Sequence, residues 1–306
     1  MFRFALMSDL HNEFERDAPP DNPTPAWHAL RQDRAAIEGH PDVGPLLVDL
    51  KRDKPDLLIL AGDIDNGLWG LVYAYQAAAY LDVPVAYVIG NHEPWRMQAG
   101  FDGTVQLIRD EAAKMAASRL RVSFLEKDTV VIPPPPDREW LGPTYVLGTF
   151  LGTDYALFGD AAAAMAFAAG PTGSKDFGRI LDGDGMLTPD GIVRRHLESR
   201  AWLDAEVSRI RAADPHARII IVTHKGPVPL ACNPTYLRER DPYAPHCVCD
   251  MTQEIERWRP TAWCWGDTHF NVDATLGPTR LLSSQRGYLG EEIGAESYRP
   301  PIFEVF

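Results

Sequence analysis

Positive charge is short in this sequence: Lys and Arg number 30 against 43 Asp and Glu, a formal net charge of −13 over 306 residues. A basic patch able to follow a nucleic-acid backbone is therefore missing. Small or metal-bridged anions remain possible ligands, because a bound cation dominates its local field. Cysteine is scarce as well. Cys232, Cys247, Cys249 and Cys264 are the whole complement, too few for a disulfide framework in a chain of this length. Two of them lie in "HCVCD" (246–250), where a C-x-C beside one His is too cramped for the usual pairing at a zinc site; a structural role is the expectation. No apolar run approaches the ~18 residues of a membrane span. The start, "MFRFALMSDLH", meets polar residues too soon for a signal peptide. The expectation is a cytoplasmic chain with no membrane partner. Internal repeats and a domain-sized break in composition are also lacking, so residues 1–306 read as a single domain, and nothing in the sequence specifies an oligomeric state.

What is present is a series of short apolar runs that end in polar residues. They are "FRFALMSD" (2–9), "DLLILAGD" (56–63), "PVAYVIGNHE" (84–93), "RIIIVTHKGP" (218–227) and "TAWCWGDTH" (261–269). Unbroken apolar runs suit strands covered on both faces. Helical patterns lie between them, at 44–54, 72–81, 105–120 and 188–213. The last has Thr188 as N-cap, Pro189 in the first turn, and Val193, Leu197, Leu203, Val207 and Ile210 at helical spacing. Strands alternating with helices predict an α/β sandwich.

Ligands of open α/β sheets gather at the carboxyl ends of the strands, and here all five ends carry Asp, His or Asn. Asp9 and His11 follow the first run, Asp63 the second, Asn91 and His92 the third, His224 the fourth, and Asp267 and His269 the fifth. Two residues apart, Asp9 and His11 share a direction if the pleat continues. Taken singly, a strand-end Asp is usually a turn former or helix cap, and a lone His a satisfied polar residue. Five such endings in register speak against that for the set, which reads as a two-metal centre of mixed oxygen and nitrogen ligands.

The motifs "SDLHNEF", "LAGDIDNG", "IGNHEP", "VTHKGP" and "WGDTHF", in this order, resemble the calcineurin-like metallophosphoesterase superfamily. Its pattern is D-x-H, G-D, G-N-H-E/D, a lone H, then G-H-x-H. The stretches "LGTDYALFGD" (151–160), "SRAWLDAE" (199–206) and "SQRGYLGE" (284–291) are similar to a bacterial branch, so the resemblance spans nearly the whole chain. It implies a four-layer sandwich of two mixed β-sheets flanked by helices. It further implies hydrolysis of a small phosphate mono- or diester by a dinuclear metal centre and its bridging water or hydroxide. Carried over residue by residue, Asp9, His11 and His269 would hold the first ion, Asp63 would bridge both, and Asn91 and His224 would hold the second. His92 would protonate the leaving group, with Asp65 as its acidic partner, although the superfamily often places that acid one residue later. Mixed Asp/Asn/His donors suit manganese, iron, cobalt or zinc, and the hard oxygen of Asp267 favours manganese or iron.

Two positions depart from the pattern. Asp267 stands where the superfamily has a His that ligates the second ion: either it still ligates, adding a negative charge to the centre, or the second site has decayed. Lys225 stands where the bacterial branch often has a second His, as a contact to phosphate or as a solvated loop lysine. Around the centre, the proline-rich 15–42 insertion reads as a lid over the metals or as a plain surface loop. "VIPPPPD" (131–137) reads as a stiff connector and "DAAAAMAFAAG" (160–170) as a helix former. Arg286 has a turn role or binds phosphate. The competing function is a metal-depleted, non-catalytic scaffold of the same fold. Retention of most ligands and of His92 argues against it.

Overall fold

In the computed structural model, which describes residues 1–15, 44–115, 119–292 and 294–306, the alternation develops into two sheets. The elements run β1 (Phe2–Met7), α1 (Gly44–Asp53), β2 (Leu57–Ala61), α2 (Trp69–Leu81), β3 (Val85–Val88), α3 (Gly100–Lys114), β4 (Val122–Leu125), β5 (Asp128–Ile132), β6 (Thr144–Thr149) and α4 (Ala161–Ala168). They continue β7 (Leu181–Asp182), β8 (Gly185–Met186), α5 (Pro189–Ala213), β9 (Arg218–Thr223), α6 (Pro234–Glu239), α7 (Ala244–Cys247), α8 (Thr252–Trp258), β10 (Ala262–Trp265), β11 (Asp273–Leu276), β12 (Thr279–Ser283) and β13 (Ile302–Val305). One sheet has the order β13-β1-β2-β3-β4 and the other β11-β12-β10-β9-β6-β5, with β7-β8 as a small ribbon. β13, β11 and β5 pair antiparallel at the edges, whereas the inner strands are parallel, so both sheets are mixed.

The strands are apolar throughout because each face meets a different layer. Phe2, Phe4 and Leu6 of β1 and Leu57 and Ile59 of β2 face Ile220, Val222 and Cys264 of the other sheet. The alternate residues, Ala5, Met7, Leu58 and Leu60, pack with Leu71, Ala74 and Tyr75 of α2. In the second sheet Ile219, Ile221, Trp263 and Trp265 point outward onto Leu203, Val207, Ile255 and Trp258 of α5 and α8. A period of two thus assigns each side chain to one of two layers, and the result is the four-layer helix–sheet–sheet–helix sandwich expected from the resemblance. Trp263 is fully buried, so truncation to Ala would cost about 3–5 kcal/mol.

Helix starts follow local chemistry. Thr188 accepts from the Gly191 N–H at 3.2 Å with Pro189 in the first turn, as its sequence predicts. Asp160 caps α4 through Ala163 N at 3.0 Å. The buried face of α5 differs from the expected one: Leu197 is 56% exposed, while Ile192, Arg195, His196 and Ser199 turn inward. The reason lies in Arg195, which is drawn to Asp182 of β7 at 2.8 Å and Asp102 of α3 at 2.9 Å. Residues 16–42 of the 15–42 insertion lie outside the described residues. Among the described residues no helix is long and apolar enough to cross a membrane.

Candidate metal centre

The two sheets meet at the carboxyl ends of β1, β2, β3, β9 and β10, and there the backbone turns unusually. Asp9 (φ 51°), His11 (49°), Asp63 (51°), Asp267 (68°) and His269 (47°) all adopt the left-handed region, a conformation costing of order 1–3 kcal/mol each where a side chain is present. Cross-strand bonds hold them: Asp9 N donates to Gly62 O at 3.1 Å, His11 N to Asp63 O at 3.1 Å and Asp267 N to Asp9 Oδ1 at 3.0 Å. Glycine provides the room. A Cβ at Gly90 would lie 2.0 Å from Asp63 Oδ1, and one at Gly62 (φ +90°) 2.5 Å from His224 Nδ1. Buried Glu93 gathers the loops by accepting from Gly90 N at 2.7 Å, Ile64 N at 3.0 Å and the Tyr87 hydroxyl at 2.9 Å. Burial and the nearby Asp63 charge push its carboxyl up to about 7.

One half of the centre is built from Asp9, His11 and His269. Asp9 is fully buried and accepts from the Ser8 hydroxyl at 2.5 Å. Its Oδ1 lies 3.3 Å from His269 Nε2, and the Nε2 atoms of His11 and His269 face each other at 3.1 Å. Each ring is held from behind: His11 Nδ1 lies 3.1 Å from Glu13 Oε1, and His269 Nδ1 2.5 Å from Glu292 Oε1. A carboxylate at Nδ1 keeps the proton there and turns the Nε2 lone pair inward, the usual backing of a metal-binding histidine. Burial opposes charge on His269, but its bonds to Asp9 and Glu292 outweigh that and lift it to about 10. The same groups would hold a divalent ion between the rings, so this half fits one.

Asp63 stands between the halves. Its Oδ1 accepts from His92 N at 2.8 Å and lies 3.4 Å from His224 Nε2, while Oδ2 is 3.8 Å from His92 Nε2. Donor atoms of Asp9, Asp63 and His224 fall within 4.8 Å of one another. Burial would raise the Asp63 pKa, yet His224 and His92 hold it well below the carboxylate range.

The other half contains Asn91, His224 and Asp267. His224 Nδ1 faces the Ala61 carbonyl at 2.9 Å, leaving Nε2 2.8 Å from Asn91 Oδ1 and 3.3 Å from Asp267 Oδ1. Asn91 Nδ2 donates to Asp176 at 3.2 Å, which fixes the amide with its oxygen inward. Asp176 in turn accepts from Trp95 Nε1 at 2.6 Å and meets His246 Nε2 at 3.1 Å. Asp267 Oδ2 is buried and accepts no hydrogen bond among the described residues, so it is free to ligate. Oδ1, however, accepts from Lys225 Nζ at 2.6 Å, and that ammonium also lies 3.5 Å from Asn91 Oδ1. Lys225 is 1% exposed and is not the solvated loop lysine the sequence allows. The two departures from the motif are in contact, and the negative charge that Asp267 adds is offset by a positive one. Nor is "HCVCD" a zinc site: His246 holds Asp176, and Cys247 lies beside Asp267, where burial and that charge push its thiol well above its usual range.

His92 stacks on Trp95 with ring centroids 3.5 Å apart. The carboxylate at its Nδ1 is Glu13, at 2.7 Å. Asp65 is buried nearby, but the sequence-based partner assignment gives way to Glu13 in this geometry. The residue three after Asp63 is Asn66, which donates to the His92 carbonyl at 2.6 Å. Glu13 thus serves His11 and His92 together. Burial would raise its pKa, but the bonds to both rings hold it down at about 2. Burial likewise opposes charge on His92, while Asp63 and Glu13 outweigh it and raise the imidazole above its ordinary value. Glu13 and Glu292 had no place in the motif pattern. The only signal for Glu13 is an acid two residues beyond His11. Tyr288, stacked on His11 with centroids 4.3 Å apart, and Phe14, 59% exposed, form an aromatic rim above. Arg286 is buried and donates to Asn12 Oδ1 at 3.2 Å.

A family model described as calcineurin-like phosphoesterase matches residues 2–271. No curated protein matches the sequence. Among solved structures, the phosphopantetheinyl hydrolase from Mycobacterium tuberculosis is similar in fold, with a TM-score of 0.57 at 16% identity, over 97% of this chain and 95% of that one. A dimetal phosphatase from Danio rerio gives a TM-score of 0.45 at 15% identity, over 93% and 87% of the two chains.

Proposed function

This chain belongs to the calcineurin-like phosphoesterase family, and on that premise we propose that it is a metal-dependent hydrolase of small phosphate mono- or diesters, its ions held at the strand-end cluster. The observation that carries the reading is the 3.1 Å approach of His11 Nε2 and His269 Nε2 beside Asp9, with a carboxylate behind each ring. With their Nδ1 atoms bonded to carboxylates, the two Nε2 atoms and the Asp9 oxygen face a common point that a divalent ion would fill. Asp9, His11, His269 and Asp63 would hold one divalent ion, and Asp63, Asn91, His224 and Asp267 a second. Divalent ions there would draw charge from the oxygens of a phosphoester and lower the pKa of water. The oxygen-rich donor set favours manganese or iron.

His92 is the group placed to hand a proton to the leaving oxygen. Glu13 keeps the ring in one tautomer and supports its charged form, and Trp95 fixes the ring plane. A histidine so arranged carries a proton near neutral pH and can give it up when negative charge develops opposite. The aromatic rim of Phe14 and Tyr288 would shield the reacting group from bulk water.

The test is hydrolysis of nitrophenyl mono- and diesters by chelator-stripped protein before and after addition of manganese, iron, cobalt or zinc. Turnover restored by metal is the expected result. Equal activity without metal, or inertness of the loaded protein toward every ester, would overturn the reading.

A further inference from the structure

Lys225 has no task in the reaction proposed above, yet it is buried inside the centre. Its ammonium lies 2.6 Å from Asp267 Oδ1 and 3.5 Å from Asn91 Oδ1. The same two oxygens face His224 Nε2, at 3.3 and 2.8 Å. The atoms that would ligate an ion in this half are therefore the atoms the lysine already uses. The half built from Asp9, His11 and His269 is different: there the groups behind the rings are carboxylates, and the donor atoms face one another.

We infer that Lys225 and a second divalent ion compete for Asp267 Oδ1 and Asn91 Oδ1, so that the first half takes its ion tightly and the second takes one only at higher free metal. The inference rests on the metal-centre reading above. Its physical basis is charge. An ammonium held on the same oxygens weakens a divalent ion at bonding distance, because like charges a few ångströms apart in a buried site repel. Asp267 Oδ2, buried and accepting no hydrogen bond among the described residues, gives the ion its approach. Full coordination then requires the ammonium to withdraw from Oδ1. As a pair, Asp267 and Lys225 carry no net charge, like the neutral imidazole of the resembling motif. Without an ion, the pair leaves that side of the centre neutral.

A lysine that merely props Asp267 in place would behave in the opposite way, and that contrast provides the experiment. Stripped protein is titrated with Mn²⁺ alone by equilibrium dialysis, with the electron-spin signal distinguishing isolated from coupled ions. Wild type should show one tight and one weak class. Lys225→Met keeps the bulk and removes the charge, so its weak class should tighten at least tenfold while the tight class moves less. An unchanged or weakened second class in Lys225→Met overturns the inference, as do two equal classes in wild type. Should Lys225→Met fail to fold, Lys225→Gln carries the comparison under the same criteria. Failure of the two readings can be told apart. Absence of any bound ion sinks the metal-centre reading, whereas a tight first ion with a second class indifferent to Lys225 sinks only the competition.

Discussion

The two halves of the centre lie at the ends of equivalent parallel strands and share Asp63, yet they solve the problem of buried charge differently. In the half of Asp9, His11 and His269, the polar side chains at the rings' Nδ1 atoms are Glu13 and Glu292, which sharpen the rings as donors and leave the cation to come from outside. In the half of Asn91, His224 and Asp267, the Nδ1 atom of His224 faces a backbone carbonyl, Asn91 is held by Asp176, and a cation of the protein's own, Lys225, is already present. Backing by carboxylates prepares a site to gain positive charge. Backing by an ammonium prepares it to do without.

The largest effect should come from the residue common to both halves. Asp63→Ala is expected to lower kcat/KM at saturating manganese by more than the roughly 10²–10⁴-fold typical of a lost general acid, and more than Asp9→Ala does. Near wild-type turnover in folded Asp63→Ala would break the idea that the halves act as one centre. Next comes His92→Ala, which should retain its metal and lose about 10²–10⁴-fold on alkyl esters. The loss should be smaller on nitrophenyl esters, whose leaving groups need little protonation. Equal losses on both would remove His92 as the acid.

The carboxylates behind the first half separate two roles. Glu13→Gln should cost roughly 10–100-fold in ion affinity or turnover, the usual range for outer partners of a metal-binding His, and should steepen the dependence on leaving group because Glu13 also holds His92. Glu292→Gln should weaken the ion within the same rough range and leave the leaving-group dependence unchanged. Identical profiles for the two would mean that Glu13 does not act through His92. The smallest effect belongs to a pair outside both halves. Hydrogen bonding to Arg195 holds the Asp182 carboxyl below its usual value. Its contribution to stability is therefore present above the unfolded value near pH ~4 and is lost as pH falls through the lower folded value. Partly exposed, the pair is worth on the order of 1 kcal/mol or less. Thermal melts of Asp182→Asn should show a small deficit at pH 7 that closes in acid, with turnover unchanged.

The strands β1, β2, β3, β9 and β10 and the Asp, His and Asn residues at their ends were legible in the sequence because the signal is local: an apolar run covered on both faces, then a polar residue at its end. The edge strands β5 and β11 were not, since half-exposed pieces such as "DTVVI" and "DATL" carry no unbroken run. The groups that tune the centre were hidden for another reason. Glu292 reaches His269 from 23 residues away, Lys225 meets Asp267 across 42, and Glu13 meets His92 across 79. Only packing brings them together. Each departure from the motif was visible singly, but their contact was not, and contact turns an apparent excess of negative charge into a neutral pair.

The difference between the halves is open to direct observation by anomalous diffraction at the manganese edge, from crystals equilibrated with a single molar equivalent of Mn²⁺. The expected map has one strong peak among Asp9, His11, His269 and Asp63, with the Lys225 ammonium still on Asp267. Equal peaks in both halves, or a peak between Asn91 and His224 alone, would contradict the account.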